Sequence, residues 1–127
     1  MSAAGVTPHT FPDSRLPLCM LICKHVHVAI TESEAAAELF KTLSAPVRVA
    51  IVLALSESPM AVNALVTEVG VSQTLVSQHL RILRSAHLVG TSRQGREVVY
   101  HLVDEHVSHI VLDAVAHMKE NPDARTS

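Results

Sequence analysis

The feature that most restricts this chain is a tight turn, Gly70-Val71-Ser72, set between two short stretches with apolar residues at helical spacing. Before it, from about Met60 to Val69, come Val62, Leu65, Val66 and Val69; after it, to about Ser85, come Leu75, Val76, Leu80 and Leu83. Residues three and four apart line one face of an α-helix. Gly70 with Val71 makes the turn, and Ser72 is the N-cap of the second helix. Two short helices joined in this way bury their stripes against each other as a helix-turn-helix. The outer face at the start of the second helix is then Gln73, Thr74, Ser77 and Gln78, followed by Arg81. Short amide and hydroxyl side chains bond base edges in a major groove, and arginine bonds guanine or phosphate. From Gly70 to Arg96 there are four arginines (Arg81, Arg84, Arg93, Arg96) and no Asp or Glu. That sets this face apart from an ordinary solvated one.

Past Ala86-His87, the run Leu88 to Arg93 is succeeded by Gln94-Gly95 and then by Arg96 to Leu102. Val98, Tyr100 and Leu102 alternate as a strand requires, and Gly95 supplies the positive φ of a hairpin turn. A hairpin after the recognition helix is a wing. Arg93 and Arg96 flank its tip, where they reach a DNA backbone or minor groove.

Upstream, Thr31-Glu32-Ser33-Glu34 has the form of a capping box, opening a helix through Leu43 on Ala35, Leu39, Phe40 and Leu43. Ser44 caps a second helix with Pro46 in its first turn. Its residues Val47, Val49, Ala50, Val52, Leu53 and Leu55 are apolar nearly all round, so it is the expected buried centre. Arg48 is the one charge among them, expected in a surface ion pair or on a phosphate. The chain of 127 residues is long enough for one domain with a modest core. Its formal charge of −2 excludes a uniformly basic nucleic-acid binder. Residues 1–30 are expected as a flexible arm, 31–120 as the folded domain and 121–127 as a disordered tail. Met20 is an alternative start of translation.

Two cysteines, Cys19 and Cys23, are too few for a disulfide scaffold, which points to a reducing cytoplasm. With His25 and His27 they offer thiolates and imidazoles to zinc or a softer metal, or are plain residues of a loose arm. Lys24, His25 and His27 interrupt the apolar stretch 16–30, which is too short to span a bilayer and carries no export signal.

The stretch Asp104 to Glu120 reads as one helix with two faces. Val103, Val107, Ile110, Val111, Ala114 and Met118 form the stripe that packs on a core. About a quarter turn away lie His106, Asp113, His117 and Glu120, with His109 at the edge. His106 and His117 stand roughly 16 Å apart along the axis at 1.5 Å per residue, so one ion cannot touch both within one helix. Two copies packed antiparallel in a twofold dimer remove that limit. Asp104 and His106 of one chain then face His117 and Glu120 of the other. Two oxygens and two nitrogens in a tetrahedron suit zinc, with cobalt as a substitute. A zinc hydrolase is the alternative on these ligands, but it needs an open coordination position that four ligands from two chains do not leave. A redox regulator acting through Cys19 and Cys23 is a second alternative.

In its order of helices, helix-turn-helix, wing and last helix, the chain resembles the ArsR/SmtB family of metal-sensing repressors. The resemblance rests on Leu43-Ser44-Ala45-Pro46-Val47-Arg48, on Gly70 through Leu80, and on Leu88 through Tyr100 with Arg93-Gln94-Gly95-Arg96. It covers roughly 31–120. Asp104-x-His106 with His117-x-x-Glu120 is similar, at matching spacing, to the last-helix site of the family's zinc sensors. The resemblance implies a mostly α fold with a small β-hairpin wing, a winged helix-turn-helix dimeric through its N- and C-terminal helices. It implies a homodimer that represses at operator double-stranded DNA and is released by zinc. Neither a membrane nor a small-molecule substrate enters. A ligating His117 is expected to hand its second ring N–H to a backbone carbonyl near His87. Two positions depart from the family pattern. The thiolates of the family's other site, at the start of the third helix, are replaced by Met60-Ala61-Val62-Asn63-Ala64. The recognition helix has Ser77-Gln78-His79 where relatives often place His before Gln, which points to a different operator preference.

Overall fold

The computed structural model describes residues 18–125, with side chains described over 30–123. The chain divides into two compact units, 1–38 and 39–127. Its elements run α1 (Leu18–Thr42), α2 (Pro46–Glu57), β1 (Met60–Ala61), α3 (Val62–Val69), α4 (Gln73–Ser85), β2 (Val89–Gln94), β3 (Glu97–Leu102), α5 (Glu105–Glu120) and a 3₁₀ turn (Pro122–Arg125). This is a winged helix-turn-helix.

Of the first unit, α1 is the described part, and its side chains from Ile30 to Glu38 are exposed. Thr31 does not open this helix, which begins at Leu18. A capping-box pattern satisfies orphan amides at a helix start, but it does not prevent a helix from running through it. The backbone of Cys19, Cys23, His25 and His27 is thus helical; their side chains, and residues 1–17 of the expected arm, lie outside the described residues.

The second unit is built around α2, where Ile51, Val52, Ala54 and Leu55 are buried. It packs on α3, α4, α5 and β3. Ser44 is not its cap. The hydroxyl turns back to donate to the Lys41 carbonyl at 2.7 Å, and Ala45 takes the N-cap position without a side-chain bond, ahead of Pro46 in the first turn. Ser58 is extended (φ −168°, ψ 155°), as the ring of a following proline demands. That breaks α2 and sends the chain into β1. Met60 and Ala61 therefore lie outside the third helix and pair with Tyr100 and Val99, giving an antiparallel sheet of order β1-β3-β2.

The turn between α3 and α4 behaves as its residues require. Gly70 adopts φ 80°, the left-handed region that favours glycine, and its N–H closes α3 on the Val66 carbonyl at 2.9 Å. Ser72 Oγ then accepts from Leu75 N at 3.2 Å to start α4. Gly95 (φ 67°) opens the two-residue turn of the wing, as a type II′ hairpin needs at its first central position.

The end of α4 holds one strained residue. His87 N–H donates to Arg84 O and Leu88 N–H to Leu83 O, both at 3.0 Å, with His87 at φ 60°. This is a Schellman ending, with Leu83 and Leu88 both in the core. Its left-handed position carries an exposed histidine instead of glycine, at a steric cost of about 1–2 kcal/mol, partly offset by the unfolded-state entropy of glycine. His87→Gly is expected to stabilise the fold by about 0.5–1 kcal/mol, read as a higher urea midpoint at unchanged m.

Candidate nucleic-acid interface and metal site

Helix α4 divides cleanly between two environments. Val76, Leu80 and Leu83 are at most 1% exposed, while Gln73, Thr74, Ser77, Gln78 and Arg81 all face outward and are exposed. The burial of the first set against α2 and α3 is what turns the second set outward. Arg93 and Arg96 are exposed at the wing tip, on either side of Gly95. The interface residues expected from the sequence thus share one outward helix face and one hairpin.

Arg48 is not a free surface cation. It is partly buried on α2, its Nε donating to the Thr42 carbonyl and its Nη1 lying 3.1 Å from His79 Nδ1 on α4. No local sequence signal announces a contact between residues thirty-one positions apart.

Helix α5 packs on α2 and β3 through the buried Val107, Ser108 and Val111. Asp104 is its N-cap: Oδ1 accepts from His106 N at 2.9 Å and from Val107 N at 3.3 Å. The same oxygen lies 3.5 Å from His106 Nδ1. The cap therefore holds carboxylate and imidazole side by side, and the His106 and Asp104 side chains remain 91% and 51% exposed. At the other end His117 and Glu120 are exposed on the last turn, near orphan carbonyls that favour a cation. Among the described residues no group of three or more His, Cys, Asp or Glu converges on one point. Each end offers a half-set, one oxygen and one nitrogen, and two half-sets make the donor chemistry of zinc. The residues fit the metal only as halves. His109 and Asp113 are exposed along the same helix. His117 in the last turn of α5 and His87 just after α4 are both exposed.

Beside these side chains runs an apolar groove of about 400 Å³ between the last turn of α1, α2 and α5. Phe40, 56% exposed, shares it with Leu43, Ile110, Ala114, Val115 and Met118. Among the described residues no single helix is long and apolar enough to cross a membrane.

Residues 45–91 match the family described as bacterial regulatory proteins of the arsR family. The chain is 57% identical over 88 residues to the HTH-type transcriptional repressor SmtB of Mycobacterium tuberculosis, covering 69% of this chain and 65% of that relative's length. It is 31% identical over 118 residues to the transcriptional repressor SmtB homolog of Synechocystis, covering 86% of this chain and 89% of the relative. Among solved structures it is similar to the homodimeric winged helix-turn-helix domain Mb0332 from Mycobacterium bovis, with TM-score 0.63 and 26% identity, covering 73% of this chain and 88% of that one. A match over most of a relative's length, joined to the same helix-turn-helix and wing, settles the kinship: the chain belongs to the ArsR family of bacterial regulatory proteins.

Proposed function

We propose that this chain is a zinc-responsive transcriptional repressor, acting as a homodimer that holds operator double-stranded DNA when metal-free and leaves it when zinc is bound. The observation that carries the DNA reading is the division of α4. Its inner side is sealed in the core, and its outer side presents amides, hydroxyls and Arg81 with no carboxylate to repel phosphate. The wing arginines extend that acid-free surface. The relatives bear the name of transcriptional repressors, and no catalytic chemistry enters. The same reading places the protein in the cytoplasm.

The dimer reading is supported by the apolar groove beside α5, where an aromatic ring is left more than half exposed. Such patches on a soluble protein are ordinarily covered by a partner, and a second copy brings an identical surface by twofold symmetry. Antiparallel α5 helices would set Asp104 and His106 of one chain against His117 and Glu120 of the other. Those four residues would hold zinc, with cobalt as substitute; bound there, the ion supplies a cross-link between the two helices. Since α5 leaves directly from β3, its crossing angle sets how far apart the two recognition helices stand. That spacing must be about 34 Å for successive major grooves. A ligand that favours one crossing angle favours one quaternary state, which is what coupling between two sites requires.

The test separates positioning contacts from base contacts. Arg93→Ala and Arg96→Ala are expected to weaken binding to every duplex alike and to lower the slope of log K against log salt by about one each. Gln73→Ala and Gln78→Ala are expected to leave that slope unchanged and to relax sequence preference by about 1–3 kcal/mol per lost base contact. Fluorescence anisotropy on matched and mismatched duplexes reads both. Unchanged slopes in both arginine variants would remove the wing from the interface.

A further inference from the structure

We propose that Arg48 and His79 form a positioning pair that sets the roll of the recognition helix, a role that rests on the DNA reading assigned to α4 above. Arg48 lies on an otherwise apolar stretch of α2 and is partly buried. A cation there is costly unless its donors are satisfied. Guanidinium carries only donors, and the structure gives two of them partners on different elements: the Thr42 carbonyl in the last turn of α1, and His79 Nδ1 at 3.1 Å on α4. Because arginine cannot accept, Nδ1 must keep its lone pair, so the neutral ring carries its proton on Nε2. Residues three and four positions from His79 along α4 are Leu75, Val76, Ile82 and Leu83. Their side chains offer no competing hydrogen bond, and the one that orients the ring comes from Arg48.

The consequence concerns aim. Val76, Leu80 and Leu83 hold α4 to the core by apolar contact, which is non-directional and leaves a helix some freedom to roll. A charge-assisted hydrogen bond is directional. Base readout requires side chains held to about 0.5 Å and 10–20°. His79 comes directly after Gln78, so fixing it fixes the azimuth of Gln73, Thr74, Ser77 and Gln78. One guanidinium thereby ties the corner between α1 and α2 to the helix that reads sequence.

The experiment uses the full chain. Wild-type protein selects a duplex from a random pool. Affinities for that duplex and for an unselected mixed-sequence duplex are then measured at one salt concentration. Arg48→Lys keeps the charge but has no planar fork to span both acceptors. His79→Leu removes the acceptor, and His79→Asn returns one through its side-chain oxygen. Arg48→Lys and His79→Leu are each expected to bind the selected duplex roughly tenfold more weakly. Their combination should lose no more than either alone, since both break one bond. His79→Asn should stay within about threefold of wild type, and affinity for the unselected duplex should not change. Single variants that bind the selected duplex like wild type overturn the pair. So do losses that multiply in the combined variant, or a His79→Asn protein as weak as His79→Leu. If His79→Leu does not fold, Arg48→Lys against His79→Asn decides alone. Failure of the wild-type chain to select any duplex overturns the DNA reading itself, a result distinct from all of these.

Discussion

Mixing His106→Ala chains with His117→Ala chains is expected to restore tight zinc sites that neither variant possesses by itself. In each pure variant every site of the dimer lacks one imidazole. Removing a direct ligand should cost at least the 10–100-fold in affinity that loss of a supporting residue behind a ligand typically costs. In the mixed dimer the two lesions fall on the same site, leaving its twin with Asp104 and His106 from one chain and His117 and Glu120 from the other. Random reassociation makes half of the dimers mixed, so about a quarter of all sites should recover. Competition against a zinc chelator reads the recovered fraction. A mixture with no tight site would mean that ligands are drawn from one chain, and the dimer-bridging arrangement would be wrong. Histidines are the better residues to replace. Asp104 also caps α5 through two backbone amides, so Asp104→Ala would cost about 1 kcal/mol of helix stability with or without metal.

The second large effect is on stability. Ile51→Ala should destabilise the fold by about 2–5 kcal/mol, a sizeable part of the 5–15 kcal/mol that typically separates folded from unfolded states. Ile51 is fully buried at the middle of α2, the helix on which α3, α4, α5 and β3 all pack. The resulting void has walls on several elements and cannot close by moving one of them. Urea unfolding at fixed protein concentration checks this, since a dimer's midpoint depends on concentration. A loss below about 1 kcal/mol would mean that α2 is not the packing centre.

Much of the domain was legible because its signals are local. The apolar spacing in Val62–Val69 and Gln73–Ser85, the Gly70 turn and the Ser72 cap each act over a few residues, and all stand as expected. The outward face of α4 is the complement of the buried one by helical geometry, so its five polar residues could be placed before any contact was known. Asp104 stood out in the sequence as a candidate ligand for its spacing to His106, and its capping role was missed although aspartate at a helix start is a recognised signal.

Where expectation and structure part, a local pattern was overruled or a distant partner was needed. Thr31-Glu32-Ser33-Glu34 has the chemistry of a helix start, but α1 is already under way at that point. Propagating a helix costs far less than nucleating one, so a capping motif inside an existing helix does not break it. Met60-Ala61 continues the apolar spacing of α3, yet two residues become a strand when β3 offers free backbone groups beside them. Helix faces, turns and wing were readable from residue order alone, because sterics and periodicity act between near neighbours. The third strand, the left-handed ending at His87 and the seat of Arg48 against His79 came only with the assembled core. Those depend on which surfaces meet once α2 is enclosed, and no short stretch of chain carries that information.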